Sequence, residues 1–167
     1  RNSSHFSSGG FIDLHVHSTA SDGTLTPSQV VKLAADKGLS AIALTDHDTV
    51  DGVPEALAAA KQISGPEVLP GVELSALYRD KEIDILGLFV DIHHPVVERE
   101  LGHMRQVREE RNEKIIRNLT EAGMPVTKKE LQHGNPETVI TRAHFARVLL
   151  EKGYVSSMSE AFKEYLR

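Results

Sequence analysis

His15 and His17 stand two residues apart in a short apolar stretch. On a strand both imidazoles would project from one face, with Cα atoms about 6–7 Å apart, a span that one metal ion can bridge. Two further apolar stretches end in Asp46-His47-Asp48 and in Gly71-Val72-Glu73, and Asp22 lies in the polar loop after His17. Taken singly, these pieces have plain structural readings: His-x-His as a polar strand edge, Asp22-Gly23 as a turn, and Asp46 or Asp48 as a helix cap. Together they bring imidazole and carboxylate to one edge of three successive strands. Asp22, Asp46, Asp48 and Glu73 would repel one another there unless a cation resolved the crowding. Nitrogen and oxygen donors without sulfur favour manganese, iron or zinc over calcium, and a carboxylate such as Glu73 can bridge two ions. The chemistry this predicts is metal-assisted hydrolysis, in which water activated by the metal is the nucleophile and no side-chain nucleophile is required.

The elements that would position these groups are legible in outline. Residues 11–17 alternate as a strand and run into Ser18, Ser21, Asp22 and Gly23. Thr26 followed by Pro27 marks a helix start and Gly38 its stop. Residues 40–45 form a second strand, 54–64 an alanine-rich helix and 67–74 a third strand. Residues 82–90 form a fourth strand, pairing with the third through a turn near Arg79 and Asp80. Alternation of this kind predicts an α/β fold with parallel strands, in an open sheet or a barrel, and chemistry at the C-terminal strand ends. After Pro95 the rhythm stops. Residues 96–122 space Val97, Leu101, Met104, Val107, Ile115 and Leu119 along a long helix. Shorter helices follow at 127–132, 141–152 and 157–166; Gly153 closes the 141–152 helix, and Ser157 with Glu160 forms a capping box for the last. The expected organisation is a tag-like or disordered arm at 1–10, strands and helices carrying the metal motifs at 11–94, and an all-helical insertion or cap at 95–167.

Composition narrows the function classes. The 167 residues make one domain with an appendage, or part of something larger. Lys plus Arg number 19 against 24 Asp plus Glu, a net charge of −5, so no overall basic field holds nucleic acid non-specifically. No apolar run is long enough to span a bilayer. The chain has no cysteine, which excludes disulfides, thiolate zinc sites, iron–sulfur clusters and cysteine nucleophiles. Arg142 and His144 open a helix with Thr141 as N-cap, beside backbone N–H groups that favour an anion. Arg105, Arg108 and Arg111, with Glu109, Glu110 and Glu113, read as a solvated helix face. His93, His94, His103 and His133 read as surface residues.

The segments Asp13-Leu14-His15-Val16-His17-Ser18, Ser21-Asp22-Gly23, Leu44-Thr45-Asp46-His47-Asp48 and Pro70-Gly71-Val72-Glu73 resemble the successive metal motifs of the polymerase and histidinol phosphatase (PHP) superfamily. The strand from Glu82 to Leu88, the long helix, Thr141 to Arg147 and Ala161 to Leu166 resemble its branch of 3′,5′-nucleoside bisphosphate phosphatases that also act as 5′→3′ exoribonucleases. The resemblance implies the N-terminal portion of a distorted (β/α)7 barrel with a helical insertion, and a site for up to three ions. Manganese is the expected ion, with zinc, iron or magnesium as alternatives. His15, His17, Asp22, His47 and Glu73 would be ligands, Glu73 the bridge. Asp84 stands where that branch carries histidine, so one ion either gains a hard oxygen donor or loses a ligand. Arg142 and His144 would hold a substrate phosphate. The implied substrates are 3′,5′-nucleoside bisphosphates, such as 3′-phosphoadenosine 5′-phosphate, and short RNA. The expected location is the cytoplasm, with no membrane association and no obligate protein partner. The family's later Ala-His-Pro and Gly-Ser-Asp-x-His strand ends have no counterpart before Arg167, so the stretch is expected to be catalytically incomplete by itself. Two other readings stay open: a non-catalytic nucleotide- or phosphate-binding module or barrel fragment, and a histidinol-phosphate-type phosphatase, which the helical insertion disfavours.

Overall fold

Four strands form one curled sheet in the computed structural model, which describes residues 10–79 and 81–166. The arm expected at 1–10, apart from Gly10, and Asp80 of the expected turn lie outside the described residues. The strands are β1 (Ile12–Val16), β2 (Ala41–Leu44), β3 (Glu67–Tyr78) and β4 (Lys81–Leu88), paired in that order. β1, β2 and the first part of β3 run parallel, with Ile12 beside Ala41 and Ala41 beside Glu67. β4 returns antiparallel from Tyr78↔Lys81 to Gly71↔Leu88. The third strand is longer than its sequence pattern predicts. β2 pairs with it only as far as Pro70, and β4 then supplies hydrogen-bonding partners for residues 71–78.

Helices α1 (Pro27–Asp36) and α2 (Val53–Ile63) pack on one face of the sheet. Thr26 and Gln29 exchange hydrogen bonds as a capping box at the start of α1, and Gly38 takes a φ of +71° after its end, as Thr26-Pro27 and Gly38 predict. Ile42, Leu44 and Val68 of the sheet meet Val30, Val31, Val53 and Ala56 of the helices in one apolar cluster. Each fully buried branched side chain of this kind contributes about 1.5–3 kcal/mol.

A second apolar cluster gathers the helices that follow: α3 (Pro95–Glu121), α4 (Lys128–Leu131), α5 (Arg142–Glu151) and α6 (Met158–Glu160). Phe145, Leu131 and Leu149 are fully buried within it. The single helix expected at 157–166 is instead α6 followed by a π-helical turn, Ala161–Tyr165, closed by Leu166 N–H donating to the Ala161 carbonyl at 3.1 Å. The wider turn seats both Ala161 and Leu166 in the cluster. The expected reciprocal box between Ser157 and Glu160 is also shifted. Ser157 Oγ accepts from Glu160 N, but the Glu160 carboxylate accepts from Ser156 N and Oγ. No helix among the described residues is long and apolar enough to cross a membrane.

The buried stripe of α3 contains Leu101, Arg108, Asn112 and Leu119, whereas Val107 is 53% exposed. The solvated face expected for Arg105, Arg108 and Arg111 is therefore corrected. Arg108 falls at helical spacing from Leu101 and Leu119, and so must enter the interior with them. Its charge is met there by Asp48, which accepts from Arg108 Nε at 2.8 Å and from Nη2, while Nη2 also donates to Ser75 Oγ at 3.1 Å. Asn112 Nδ2 donates to the Ile140 carbonyl at 3.0 Å and ties the same helix to the segment before α5. Of the four histidines read as surface residues, His94 caps α3, its Nδ1 accepting from Val96 N at 3.2 Å.

α5 opens with a reciprocal cap: Thr141 Oγ1 accepts from Ala143 N, and His144 Nδ1 accepts from Thr141 N at 3.0 Å. Burial lowers the His144 imidazole to about 4, with the Asp22 carboxylate opposing the shift and the neighbouring Arg147 and His133 side chains adding to it.

Two stability measurements follow from these contacts. Arg108→Met strands the Asp48 carboxylate in the interior and is expected to cost about 3–5 kcal/mol of unfolding free energy in urea titrations; a loss under about 1 kcal/mol, the worth of a surface pair, would refute the buried role. As pH falls, the unfolded imidazole of residue 144 protonates at its ordinary value of 6.5, before the folded one near 4. Stability from this group is thus complete above about pH 6.5 and drains away as pH falls toward 4. His144→Gln keeps an acceptor at the cap and is expected to flatten the decline of the urea midpoint over that window. An unchanged slope would count against the assignment.

Candidate metal centre

β1 presents His15, and His17 follows it directly on the same side, with ring centroids 5.1 Å apart. The chain then folds back because Asp46, at the end of β2, gathers the loop: its carboxylate accepts from Ser18 N and Oγ at 2.7 Å each and from Ser21 Oγ at 2.6 Å. Gly23 closes the fold-back, since a Cβ there would lie 2.5 Å from the His17 carbonyl oxygen. The loop in this shape turns Asp22 toward His17 and His47. His47 and Glu73 form an isolated parallel bridge beyond the end of β2, where Asp48, in the left-handed region at φ 51°, donates its N–H to the Glu73 carbonyl at 2.9 Å. Gly71 permits the close approach of β3, because a Cβ there would sit 2.7 Å from Thr45 Cγ2. On β4, Asp84 pairs with Ser75, whose Oγ donates to Asp84 Oδ1 at 3.1 Å.

Three imidazoles converge on one oxygen. Glu73 Oε2 lies 2.8 Å from His17 Nε2, 3.2 Å from His15 Nε2 and 3.4 Å from His47 Nδ1. Asp22 lies 2.8 Å from His17 Nδ1 and 3.6 Å from His47 Nε2. Three groups bring potential ligand atoms within 4.8 Å of one another: His15, His17 and Glu73; His17, Asp22 and His47; His47, Glu73 and Asp84. His17 Nε2 and His47 Nδ1 are buried yet make no hydrogen bond, although each is close to the Glu73 carboxylate. Buried ring nitrogens without partners around an anionic oxygen fit a divalent cation, as does the donor set of imidazoles and carboxylates.

The electrostatics of the cluster agree. Burial opposes ionisation of Asp22, but the hydrogen bond from His17 and the charges of His47 and His17 outweigh it and hold the carboxyl far below its usual range. Burial likewise disfavours a charged His17, yet Asp22, Glu73 and Asp46 together raise it. At His47 burial prevails over Asp22 and Glu73 and lowers it, which keeps a neutral imidazole available for coordination.

A cavity of about 370 Å³ opens beside the cluster, lined by Asp22, His47 and Asp84 of the cluster and by Arg111 and Arg142. Glu82 pairs with both arginines, at 3.5 Å from Arg111 Nη1 and in closer contact with Arg142 Nη1. Arg111 Nε and Nη2 and Arg142 Nε are buried without partners. Burial and then the charges of Arg108 and Arg142 lower Arg111 to about 10, so it remains a cation near neutral pH. One carboxylate between two guanidinium groups, with donors to spare, leaves a place for an anion.

All six expected ligand residues, His15, His17, Asp22, His47, Glu73 and Asp84, are thus brought to one place, and Arg142 lies beside them. His144 does not join them. It is 3% exposed, its Nδ1 is committed to the cap on Thr141, and it lines a different cavity, so its expected contact with the substrate phosphate is corrected to a capping role. Sequence reasoning missed Arg111 as a pocket residue, Arg108 as a buried partner of Asp48, and Asp46 as the anchor of the 18–23 loop. The helical register of Leu101, Arg108, Asn112 and Leu119 carries the signal for Arg108; the serines at 18 and 21 flanking the first motif carry it for Asp46.

Comparison with known proteins agrees with this geometry. The family model described as the PHP domain matches residues 13–167. A 5′-3′ exoribonuclease of Haemophilus influenzae is 43% identical over 157 residues, covering 92% of this chain and 56% of the relative. A 3′,5′-nucleoside bisphosphate phosphatase of Chromobacterium violaceum is 40% identical, covering 93% of this chain and 54% of the relative. This chain therefore spans about half the length of these relatives. Among solved structures, an amidohydrolase from Chromobacterium violaceum with bound sulfate superposes with a TM-score of 0.85 at 39% identity, over 93% of this chain and 55% of that one. A protein from Bifidobacterium adolescentis designated a metal-dependent phosphoesterase superposes with a TM-score of 0.86 at 28% identity, over 95% and 56%. With the motifs of β1, β2 and β3 converging on Glu73 and the family model matched from Asp13 onward, this chain belongs to the PHP domain family.

Proposed function

We propose that this chain carries the metal-binding part of a phosphoesterase that removes the 3′-phosphate of 3′,5′-nucleoside bisphosphates and trims short RNA from its 5′ end. The observation that carries the reading is the juxtaposition of the histidine and carboxylate cluster with two arginines whose buried donors lack partners, across one cavity of about 370 Å³. The names of the Haemophilus influenzae and Chromobacterium violaceum relatives support both substrate classes.

In this reading His15, His17, Asp22, His47, Glu73 and Asp84 hold divalent ions, manganese best suiting their mixed donors. Such ions supply Lewis acidity and activate water for attack on phosphorus. The residues of the chain do the rest. Arg111 and Arg142 bind the non-bridging phosphate oxygens and orient the ester toward the cluster, and their excess positive charge offsets the charge of the phosphoryl group. Glu82 keeps the two guanidinium groups in place before substrate arrives. The Asp48–Arg108 pair fixes α3, and with it Arg111, against the sheet. Residues 95–167 then act as a cap that supplies the phosphate-binding arginines, while residues 11–94 supply the metal ligands. The proposed place of action is the cytoplasm.

Phosphate release from 3′-phosphoadenosine 5′-phosphate, measured on the intact encoded protein with manganese, tests the reading. Turnover is expected, and Glu73→Gln is expected to lower both bound metal and turnover; no release at saturating manganese would overturn the catalytic proposal. Arg142→Gln or Arg111→Gln removes charge-assisted hydrogen bonds worth about 1.5–3 kcal/mol, so KM is expected to rise roughly 10–100-fold. Bound metal, read by elemental analysis, should stay at the wild-type level in both arginine variants.

A further inference from the structure

Behind the 18–24 loop lies a second cavity, of about 270 Å³, which the proposed reaction does not use and which shares no lining residue with the first. Thr19, Ser21 and Thr24 form its wall on the loop side; His133 and Asn135 line it from the segment between α4 and α5, and His144 and Arg147 from α5. Asp22 stands between the two cavities. Its carboxylate belongs to the metal cluster, while its backbone carbonyl accepts from Arg147 Nη2 at 3.3 Å.

The charge of this cavity is one-sided. No aspartate or glutamate lines it, and Arg147 has no carboxylate within ion-pair distance among the described residues. A guanidinium carries five N–H donors, and the Asp22 carbonyl occupies one of them. The His133 and His144 rings lie 6.4 Å apart, centroid to centroid. Arg147 and His133 act against protonation of the buried His144 ring, while the Asp22 carboxylate across the loop acts for it. Asn135 Oδ1 is used as an acceptor for Glu137 N at 3.2 Å, which leaves the amide Nδ2 as a donor on the cavity wall.

A partly enclosed pocket with an uncompensated guanidinium, imidazole and amide donors, and no acid is complementary to a small oxyanion. We propose that this cavity is a second phosphate-binding site, built on Arg147, His133 and Asn135 and distinct from the site of reaction. Its ligand is a phosphate group, either an internucleotide phosphate of an RNA strand or free inorganic phosphate. Because Arg147 also holds the Asp22 carbonyl, an anion bound there pulls on the loop that carries a metal ligand.

Inorganic phosphate titrated into the intact protein loaded with diamagnetic zinc, followed by the NMR resonances of the His133 ring, tests the proposal without reference to turnover. A saturable shift is expected. Arg147→Gln should weaken it by at least about tenfold. Asn135→Asp, which retains the acceptor for Glu137 N, should do the same by placing negative charge on the wall, whereas Arg142→Gln in the other cavity should leave it in place. No saturable shift, or a shift indifferent to both Arg147→Gln and Asn135→Asp, would overturn the site. Kinetics of Asn135→Asp then distinguish the sources. A KM raised about tenfold for short RNA but not for the bisphosphate identifies the strand phosphate. Unchanged KM values, with loss of inhibition by inorganic phosphate, identify the free ion. Should the protein hydrolyse neither substrate, the catalytic reading fails while the His133 titration still decides the phosphate site.

Discussion

Three imidazole nitrogens within 3.4 Å of one carboxylate oxygen make a contact that no hydrogen-bond pattern of the protein satisfies, and much of the chain is arranged to sustain it. The parallel register of β1, β2 and β3 brings the three motifs level. Asp46 keeps the loop after β1 folded by accepting from two serines. Asp48 adopts a left-handed backbone that lets it reach the Glu73 carbonyl with its N–H and Arg108 with its carboxylate. Each of these contacts orders polar groups in the interior at a cost in desolvation, and the resulting donor set is one that a divalent cation would stabilise.

The same logic separates Asp22, Asp46 and Asp48. Asp22 faces imidazoles, Asp46 faces hydroxyls and an amide, and Asp48 faces a guanidinium. Only the first is left to share a cation with neighbouring histidines. The arginines are sorted in a comparable way: Arg108 is matched by Asp48, whereas Arg111 and Arg142 share Glu82 and keep buried donors free.

The strand and helix alternation, the Thr26-Pro27 and Gly38 boundaries and the gathering of His15, His17, Asp22, His47 and Glu73 were legible because each depends on local pattern or on strand order. The long third strand was not, since its extension to Tyr78 depends on what β4 offers rather than on residues 75–78 themselves. Arg108 departs from the expected solvated face because its position on the Leu101 and Leu119 stripe outranks its charge once Asp48 is there to receive it. His144 stands at the helix start as its sequence position predicts, but helix geometry does not disclose which way a capping side chain turns, and its ring is drawn back to the Thr141 N–H. The π-helical turn was hidden for a related reason: apolar spacing at Ala161 and Leu166 looks much the same whether the turn is tight or wide.

Asp22 lies 119 residues in sequence from Thr141, which donates to its carboxylate, and 125 from Arg147, which donates to its carbonyl. Loops of that length close slowly, since the entropy of bringing their ends together is lost before the contacts form. During synthesis the strands with His15, His17, His47 and Glu73 emerge early, but the wall that steadies Asp22 is complete only after α5 has left the ribosome and docked. The site is thus assembled from both ends of the chain: the first three strands carry the imidazoles and Glu73, and Asp22 is steadied only where the late helices return to the first loop.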